Sequence, residues 1–299
     1  MRTIIICGAT ATGKSDLAVA LAKEIGAEIV NADSMQVYEG MDIGTAKLAL
    51  SERGDIPHHL LDVLTVRQDS TVAWYQDAAR TAIDHIHQRG KDAIIVGGTG
   101  LYIKAIVDDL NFPDTDPVIR SRLELEAIEQ GAAVLFARLE KLDPAAALAI
   151  DRANTRRIVR ALEVIEITGQ PFTANLPREE SSRYPDALHF GLSQDRESLD
   201  IRVSNRVDAM WDSGLVAEVE GLVVTGLREG VTAQKALGYA QVLQMMDGLL
   251  SSDEAREETK RVTRQYIRRQ DTWFSRDNRL HWLGHYENRL EKILTRINS

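Results

Sequence analysis

A single cysteine, Cys7, in 299 residues is too few for a disulfide framework or for a zinc site built on several thiolates. Long hydrophobic runs are also missing, and stretches such as Ala93–Val96 are far too short to span a bilayer. Met1-Arg2-Thr3 leads straight into Ile4-Ile5-Ile6, without the apolar region and small-residue cleavage site of a secretory signal. A reducing cytoplasm and no membrane association are the expectation. Basic charge is in deficit as well: 36 Lys+Arg stand against 45 Asp+Glu, a net charge of -9. That balance argues against a protein that coats nucleic acid without specificity, although a local basic patch survives any negative sum. What remains is 44% hydrophobic and 27% charged. This is a globular chain of one large domain, or of a domain carrying an insertion.

The first half alternates strand and helix. Thr3–Cys7 reads as a buried strand, followed by the glycine-rich Gly8–Gly13. The next helix sets Leu17, Leu21 and Ile25 on one face and stops at Gly26. Glu28–Ala32 is a second strand. Ser70 or Thr71 caps a helix with Val72, Tyr75, Ala79, Ile83 and Ile86 inward, ended by Gly90. Ala93–Val96 is a third strand. Such alternation predicts an α/β fold, a parallel sheet with helices on both faces and ligands at the carboxyl ends of the strands. The character changes at Asn111–Pro117, where Asp116-Pro117 is a helix start. From there to about Ser182 only helix signals occur, including Pro117–Gln130 and Thr155–Thr168. Leu188–Ser193 and Arg279–Leu283 read as further strands, with helices near 197–213, 232–247 and 253–275. The expected organisation is a core of residues 1–115 and 184–299 with an all-helical insertion at 116–183.

Gly8-Ala9-Thr10-Ala11-Thr12-Gly13-Lys14-Ser15 matches the phosphate-loop pattern and lies between a predicted strand and a predicted helix, the context the motif requires. Its glycines let backbone N–H groups wrap a diphosphate at a helix N-terminus. Lys14 adds a point charge and Ser15 offers a hydroxyl to Mg²⁺. The core is therefore expected to be of the P-loop NTPase type and to bind nucleotide or diphosphate. The second part of a nucleotide-hydrolysing site, an aspartate after an apolar strand, is absent: Ala93–Val96 ends in Gly97-Gly98-Thr99-Gly100. Thr99 can hydrogen-bond a phosphate or a reacting group but carries no charge. Asp33, just beyond the second strand, is either a turn residue or a general base beside the bound diphosphate.

These residues resemble the opening of the tRNA dimethylallyltransferases. Gly8–Ser15 is followed by Asn31-Ala32-Asp33-Ser34-Met35-Gln36-Val37-Tyr38 and by Met41-Asp42-Ile43-Gly44-Thr45-Ala46-Lys47. Pro57-His58-His59, Val96–Tyr102, Arg156-Arg157-Ile158-Val159-Arg160-Ala161-Leu162-Glu163, Leu237-Gly238-Tyr239, Thr263–Tyr266 and Arg269–Phe274 continue the match over nearly the whole chain. The resemblance implies transfer of a dimethylallyl group from dimethylallyl diphosphate to N6 of adenosine 37 in tRNA, with Mg²⁺ and a helical insertion on the anticodon arm. It implies Asp33, Thr99 and Lys14 as catalytic residues, and Gly8, Ala9, Thr10, Ala11, Thr12, Gly13, Lys14, Ser15, Arg206 and Arg202 at the diphosphate. For tRNA it implies Asp33, Ser34, Met35, Gln36, Thr99, Arg122, Arg156, Arg157, Arg160, Gly238, Tyr239, Arg264, Arg268 and Arg269. The chain departs from the family pattern at Ser15, where Thr is frequent, at Gly100, where a bulkier residue is common, and at Ala240, where a long polar side chain is frequent. With Cys7 alone it has no Cys/His zinc finger of the kind some eukaryotic members append.

Two basic clusters suit this partner. Lys260, Arg261, Arg264, Arg268 and Arg269 occur in one stretch without an acid, and 260, 264 and 268 share a helix face. Arg156, Arg157 and Arg160 form the second. The alternative for each is a merely solvated face. Tyr266 and Trp273 either stack on bases or fill the core, and His58-His59 are structural or metal ligands. Ser251-x-x-Glu254 is a capping box that starts the basic helix. The competing functions are a small-molecule or nucleotide kinase on the same core, which lacks its carboxylate here, and a non-catalytic tRNA-binding protein, which needs no Lys14, Asp33 and Thr99 together. A monomer is expected.

Overall fold

In a computed structural model, residues 1–175 and 182–299 are described; the stretch 176–181, expected to close the insertion, lies outside the described residues. The chain divides into two compact units, Met1–Val107 with Tyr184–Ser299, and Asp108–Arg183. The first break thus precedes the boundary expected at 115. The reason is local: Arg160 donates to the carbonyls of Pro113 and Asp114, and the Asp116 N–H donates to Glu163, so the linker belongs with the helices that follow it.

The chain runs β1 (Thr3–Gly8), α1 (Lys14–Ile25), β2 (Glu28–Asn31), β3 (His58–His59), α2 (Val72–Gln88), β4 (Ala93–Gly97) and α3 (Gly100–Val107). The helical unit holds α4 (Pro117–Gln130), α5 (Ala132–Leu142), α6 (Pro144–Ala149) and α7 (Thr155–Thr168). The first unit then resumes with β5 (Leu188–Leu192), α8 (Arg196–Asp212), α9 (Leu215–Val224), α10 (Tyr239–Met246), α11 (Ser252–Phe274), β6 (His281–Leu283) and α12 (Arg289–Asn298). Its strands form one sheet in the order β3-β2-β4-β1-β5-β6, every pair parallel.

Alternation along the central strands decides which helices cover which face. Ile5, Val30 and Ile95 bury against α2 and α3 through Tyr75, Ile83 and Ile103, while Ile4, Ile6, Ile29 and Ile94 bury against α1 and α12 through Leu21 and Ile293. A smaller cluster joins Ala9 and Ala11 to Leu199, Val203 and Val207 of α8 and Ile267 of α11, so the glycine-rich loop rests on two helices. Cys7 is a core residue of β1, its thiol pushed up to about 12 by burial. In the helical unit α4, α5, α6 and α7 close around Leu123, Leu135, Leu139, Ile158 and Leu162. Asp116 caps α4 with Pro117 in its first turn, and Ser251 and Glu254 form the capping box of α11, both as expected.

Three expectations change. The helix expected over 232–247 is broken: a short 3₁₀ turn at Ala233–Lys235 precedes Gly238, whose φ of 86° ends one element before α10 begins. α9 and α12 appear where no helix was foreseen, and α3 starts on Gly100 without a polar cap to announce it.

Candidate active site

Strand register brings three turns together. Cys7 pairs with Gly97 across β1 and β4, and Asn31 pairs with Val96 across β2 and β4. The loop after β1, Asp33 after β2 and Gly98-Thr99 after β4 therefore meet at the carboxyl edge of the sheet. Ala11, Asp33 and Gly98 from these turns line a cavity with Lys14, Ser15, Asp16, Asn31 and Arg206, and Thr99 follows Gly98 just outside that lining. Within the loop Ala11 and Gly13 both have positive φ, 66° and 84°, which turns the backbone into a concave cradle. Thr12 Oγ1 and Lys14 Nζ both donate to the Ala9 carbonyl, at 2.8 and 2.6 Å. Gly97 permits the close approach of the second turn: a Cβ there would stand 2.1 Å from the Ala32 carbonyl oxygen.

The charges at this edge are held against their solvation. Burial lowers the Lys14 ammonium to about 8; Asp33 opposes that shift, and Arg206 adds to it. Burial raises Asp33, opposed by the Met35 N–H and by Lys14. Arg206 is lowered by burial and by neighbouring Arg202, and it makes no hydrogen bond or ion pair among the described residues. A desolvated ammonium and an unpartnered guanidinium facing one cavity form an anion site. Arg202, one turn away on α8, is exposed and donates to Gln194.

Asp33 itself is firmly seated. Its carboxylate accepts from Met35 N at 2.9 Å, and buried Asn31 brackets its backbone, accepting from Asp33 N and donating to Asp33 O, both at 3.0 Å. Asn31 also donates to Leu60 O, and Tyr75 donates to Asn31 O. Thr99 Oγ1 accepts from Ser34 N at 3.1 Å. The cavity thus joins an anion cradle to the half-buried Asp33 carboxylate, with the Thr99 hydroxyl next to its Gly98 wall. These are the parts needed to hold a leaving diphosphate and to take a proton from a nucleophile.

Comparison with known proteins agrees with this chemistry. The IPP transferase family model matches residues 36–277. The chain belongs to the IPP transferase family. A tRNA dimethylallyltransferase of Thermobifida fusca is 56% identical over 95% of this chain and 90% of that protein. One of Streptomyces griseus is 55% identical over the same shares. Among solved structures, the full-length tRNA isopentenylpyrophosphate transferase of Bacillus halodurans superposes with a TM-score of 0.73 at 36% identity, covering 99% of this chain and 95% of that one. A eukaryotic dimethylallyltransferase acting on tRNA superposes with a TM-score of 0.85 at 26% identity, covering all of this chain and 79% of that one.

The residues expected at RNA fall into two groups. Arg156 and Arg157 of the helical unit are exposed and make no ion pair among the described residues, and the same holds for Arg268 on α11. Others are engaged. Arg160 is tied to Glu163 and the Pro113 carbonyl, Arg122 to Glu166, and Arg264 to Ser204 on α8. Lys260 is buried in ion pairs with Asp208 and Glu257, so the basic face of α11 is partly a seam between helices. Arg269 lies over the Tyr266 ring, 5.8 Å from its centroid. Tyr239, expected to contact tRNA, is fully buried, and its hydroxyl donates to Glu218, whose carboxylate also accepts from the N–H groups of Asp42, Ile43 and Gly44. Its work is to hold that turn, and Gly238 beside it is buried as well. Ser34, Met35 and Gln36 are half-buried next to Asp33, with Gln36 donating to Thr45 O.

His58 donates through Nδ1 to the Ile56 carbonyl oxygen at 2.8 Å, and His59 pairs with buried Glu28 at 2.7 Å. Among the described residues no three His, Cys, Asp or Glu side chains are grouped to hold a metal, and His58 lines the cavity. No helix of the described residues is long and apolar enough to cross a membrane. Two site residues escaped the sequence reading. Arg289 on α12 donates to the Thr12 carbonyl from outside the loop, and Gln270 on α11 reaches the loop from within. Both act across more than 250 positions of chain. Gln270 stands in the Arg269–Phe274 stretch that carries the resemblance, but with no role assigned to it there, and Arg289 lies outside every motif of that resemblance.

Proposed function

We propose that this chain transfers a dimethylallyl group from dimethylallyl diphosphate to N6 of adenosine 37 in the anticodon loop of tRNA. The observation that carries the reading is the pairing of an unpartnered Arg206 and a desolvated Lys14 with half-buried Asp33 around one cavity. The diphosphate oxygens sit on the loop amides, Lys14 and Arg206, which replace the poor solvation of those cations with counter-charge. As the allylic C–O bond breaks, the charge developing on the leaving diphosphate meets donors already in place. The N6 lone pair forms the new C–N bond, and the N6 proton passes to Asp33. Thr99 orients the amine.

The donor set also fits Mg²⁺. Ser15 places a hydroxyl in the cavity and no carboxylate cluster competes, which suits a cation held mainly by substrate oxygens and water. When bound, Mg²⁺ supplies further charge neutralisation at the diphosphate. The exposed Arg156, Arg157 and Arg268 are offered to RNA phosphates, and an unpaired anticodon loop allows the adenosine to leave its stack at low cost. The acidic remainder of the chain favours one docking orientation. Arg202, exposed at the rim, assists the diphosphate; Gln194 is displaced as it does so. The protein acts as a monomer in the cytoplasm.

A kinase on the same core needs a carboxylate after β4, and Gly97-Gly98-Thr99 stands there instead. The test is incubation of the protein and tRNA with either dimethylallyl diphosphate or ATP, read by nucleoside mass. The proposal expects an adenosine heavier by one dimethylallyl group with the first donor and no phosphorylated product with the second. Unmodified nucleosides with dimethylallyl diphosphate would overturn it.

A further inference from the structure

α11 sends three consecutive inward positions to the catalytic edge. Ile267 packs under the phosphate loop against Ala9 and Ala11. Tyr266, one position before it, is half-buried. Gln270, only 5% exposed, uses both ends of its amide: Oε1 accepts from Thr10 N at 2.9 Å and Nε2 donates to Gly98 O at 2.8 Å. The same side chain therefore grips the loop after β1 and the turn after β4. The β1–β4 ladder between these turns ends at Cys7 and Gly97. Beyond the ladder, Gln270 ties the cradle for the leaving group to the turn that carries Thr99.

We propose that Gln270 is a positioning residue for prenyl transfer, a brace that fixes the phosphate loop against the Gly98-Thr99 turn and so sets the separation of leaving group and nucleophile. The inference rests on the transferase reading and adds a residue to it. In a displacement the two reacting partners are held by different turns, so an error in their separation appears in the transition state and not in the binding of either partner. A misplacement of about 1 Å is enough to lower the rate by about 10²-fold. Gln270 touches neither substrate in this scheme; it satisfies one loop amide and one turn carbonyl that would otherwise be buried without partners.

Gly98 supplies an independent way to break the brace. A Cβ at that position would stand 2.4 Å from Gln270 Nε2 and 3.4 Å from the Gly8 carbonyl oxygen, so alanine there pushes the amide away while leaving Gln270 in place. Gln270→Met removes both hydrogen bonds at nearly constant volume. The experiment compares Gln270→Met, Gly98→Ala and the double variant in single-turnover transfer from dimethylallyl diphosphate to an anticodon stem–loop RNA, with both substrates saturating. The dissociation constants of the two substrates and the thermal midpoints are measured alongside.

Each single variant is expected to lose about 10²-fold in rate, with each dissociation constant changed less than about threefold. The double variant is expected to be no slower than the slower single, because both remove one brace. A rate within about threefold of wild type in Gln270→Met, or losses that multiply in the double variant, overturns the inference. So does a rate loss that merely follows weakened binding of either substrate. If Gln270→Met fails to fold, Gly98→Ala carries the same comparison of rate against binding. A wild-type protein that yields no dimethylallyl adenosine defeats the transferase reading itself, which is a different result from a wild-type rate in the variants.

Discussion

The helical unit and the cavity edge of the sheet unit treat buried charge in opposite ways. In the helical unit the buried carboxylate is matched: Glu163, with no exposure, is paired with Arg120 and Arg160 and accepts from the Asp116 N–H. Arg122 and Arg138 are likewise taken up by Glu166 and Glu126. In the sheet unit Glu28 is matched in the same way by Arg89, Lys91 and His59. At the cavity, by contrast, Lys14, Arg206 and Asp33 are desolvated, with Lys14 and Asp33 offsetting each other only in part. Among the described residues the non-glycine ones with positive φ, Ala11, Ala46, Leu60 and Asp62, all lie in this unit. Buried charges without counter-charge destabilise the free protein unless a ligand arrives. The difference teaches where binding is prepared. The helical unit's buried carboxylate is matched within it, and the cavity edge of the sheet unit leaves charge that the proposed diphosphate would neutralise.

The sharpest way to break that contrast is to remove the loop cation. Lys14→Met should lower turnover by about 10²–10³-fold, the loss typical of one preorganised donor. The same variant should raise the thermal midpoint of the free protein at neutral pH by a few degrees, since it deletes a buried ammonium. The sign follows from the lowered pKa of Lys14. The folded state pays fully for the charge below about pH 8, and the penalty fades as pH rises through that value towards the ordinary lysine range. Affinity of the free protein for diphosphate should fall over the same rise in pH. Calorimetry of diphosphate binding from pH 7 to pH 9 checks it, and a flat profile contradicts the assignment.

The matching change in the helical unit should do the reverse. Glu163→Gln keeps the shape and leaves Arg120 and Arg160 without their charge partner. It should destabilise by about 2–3 kcal/mol, below the figure for a fully buried pair because both guanidinium groups reach solvent. Single-turnover transfer at saturation should stay within about threefold of wild type. A stability loss with equal damage to the rate would erase the distinction between the units. A smaller effect is expected from reversing both exposed charges, Arg156→Glu with Arg157→Glu. The KM for tRNA should rise about tenfold and its salt dependence flatten, with the KM for dimethylallyl diphosphate unchanged. Unchanged tRNA affinity would make these residues a solvated face.

The contrast also explains what the chain disclosed as sequence. α4 and α7 were legible to the residue because Asp116-Pro117, Gln130-Gly131, Asn154 and Gly169 mark their ends with local capping chemistry. β1, β4 and the phosphate loop were legible because apolar runs ending in glycine have few other uses, and β2 because Ile29-Val30 follows closely on the Gly26 that ends α1. α3 was missed because it begins on Gly100 directly after a strand, and a Cβ there would strike the Trp273 ring at 2.2 Å, a contact no neighbour in sequence reveals. Tyr239 looked like a contact to RNA and proved to be a buried strut because its partner, Glu218, lies in a helix that was itself unforeseen. The candidate site residues came from motifs; the contacts of Gln270 and Arg289, which act through distant backbone atoms, required the fold.

The central claim is that the groups that burden the free sheet unit are the groups that carry the transfer, and Asp33 tests it most directly. Asp33→Asn keeps the shape and hydrogen-bonding capacity of the side chain and deletes the base. Its single-turnover transfer rate, with dimethylallyl diphosphate and anticodon stem–loop RNA both saturating, is measured together with the thermal midpoint of the free variant. The account predicts a rate lower by about 10²–10⁴-fold with RNA affinity retained, and a higher midpoint at neutral pH because burial holds the native carboxyl above its ordinary range. A rate within about tenfold of wild type would reduce Asp33 to a turn residue and contradict the account.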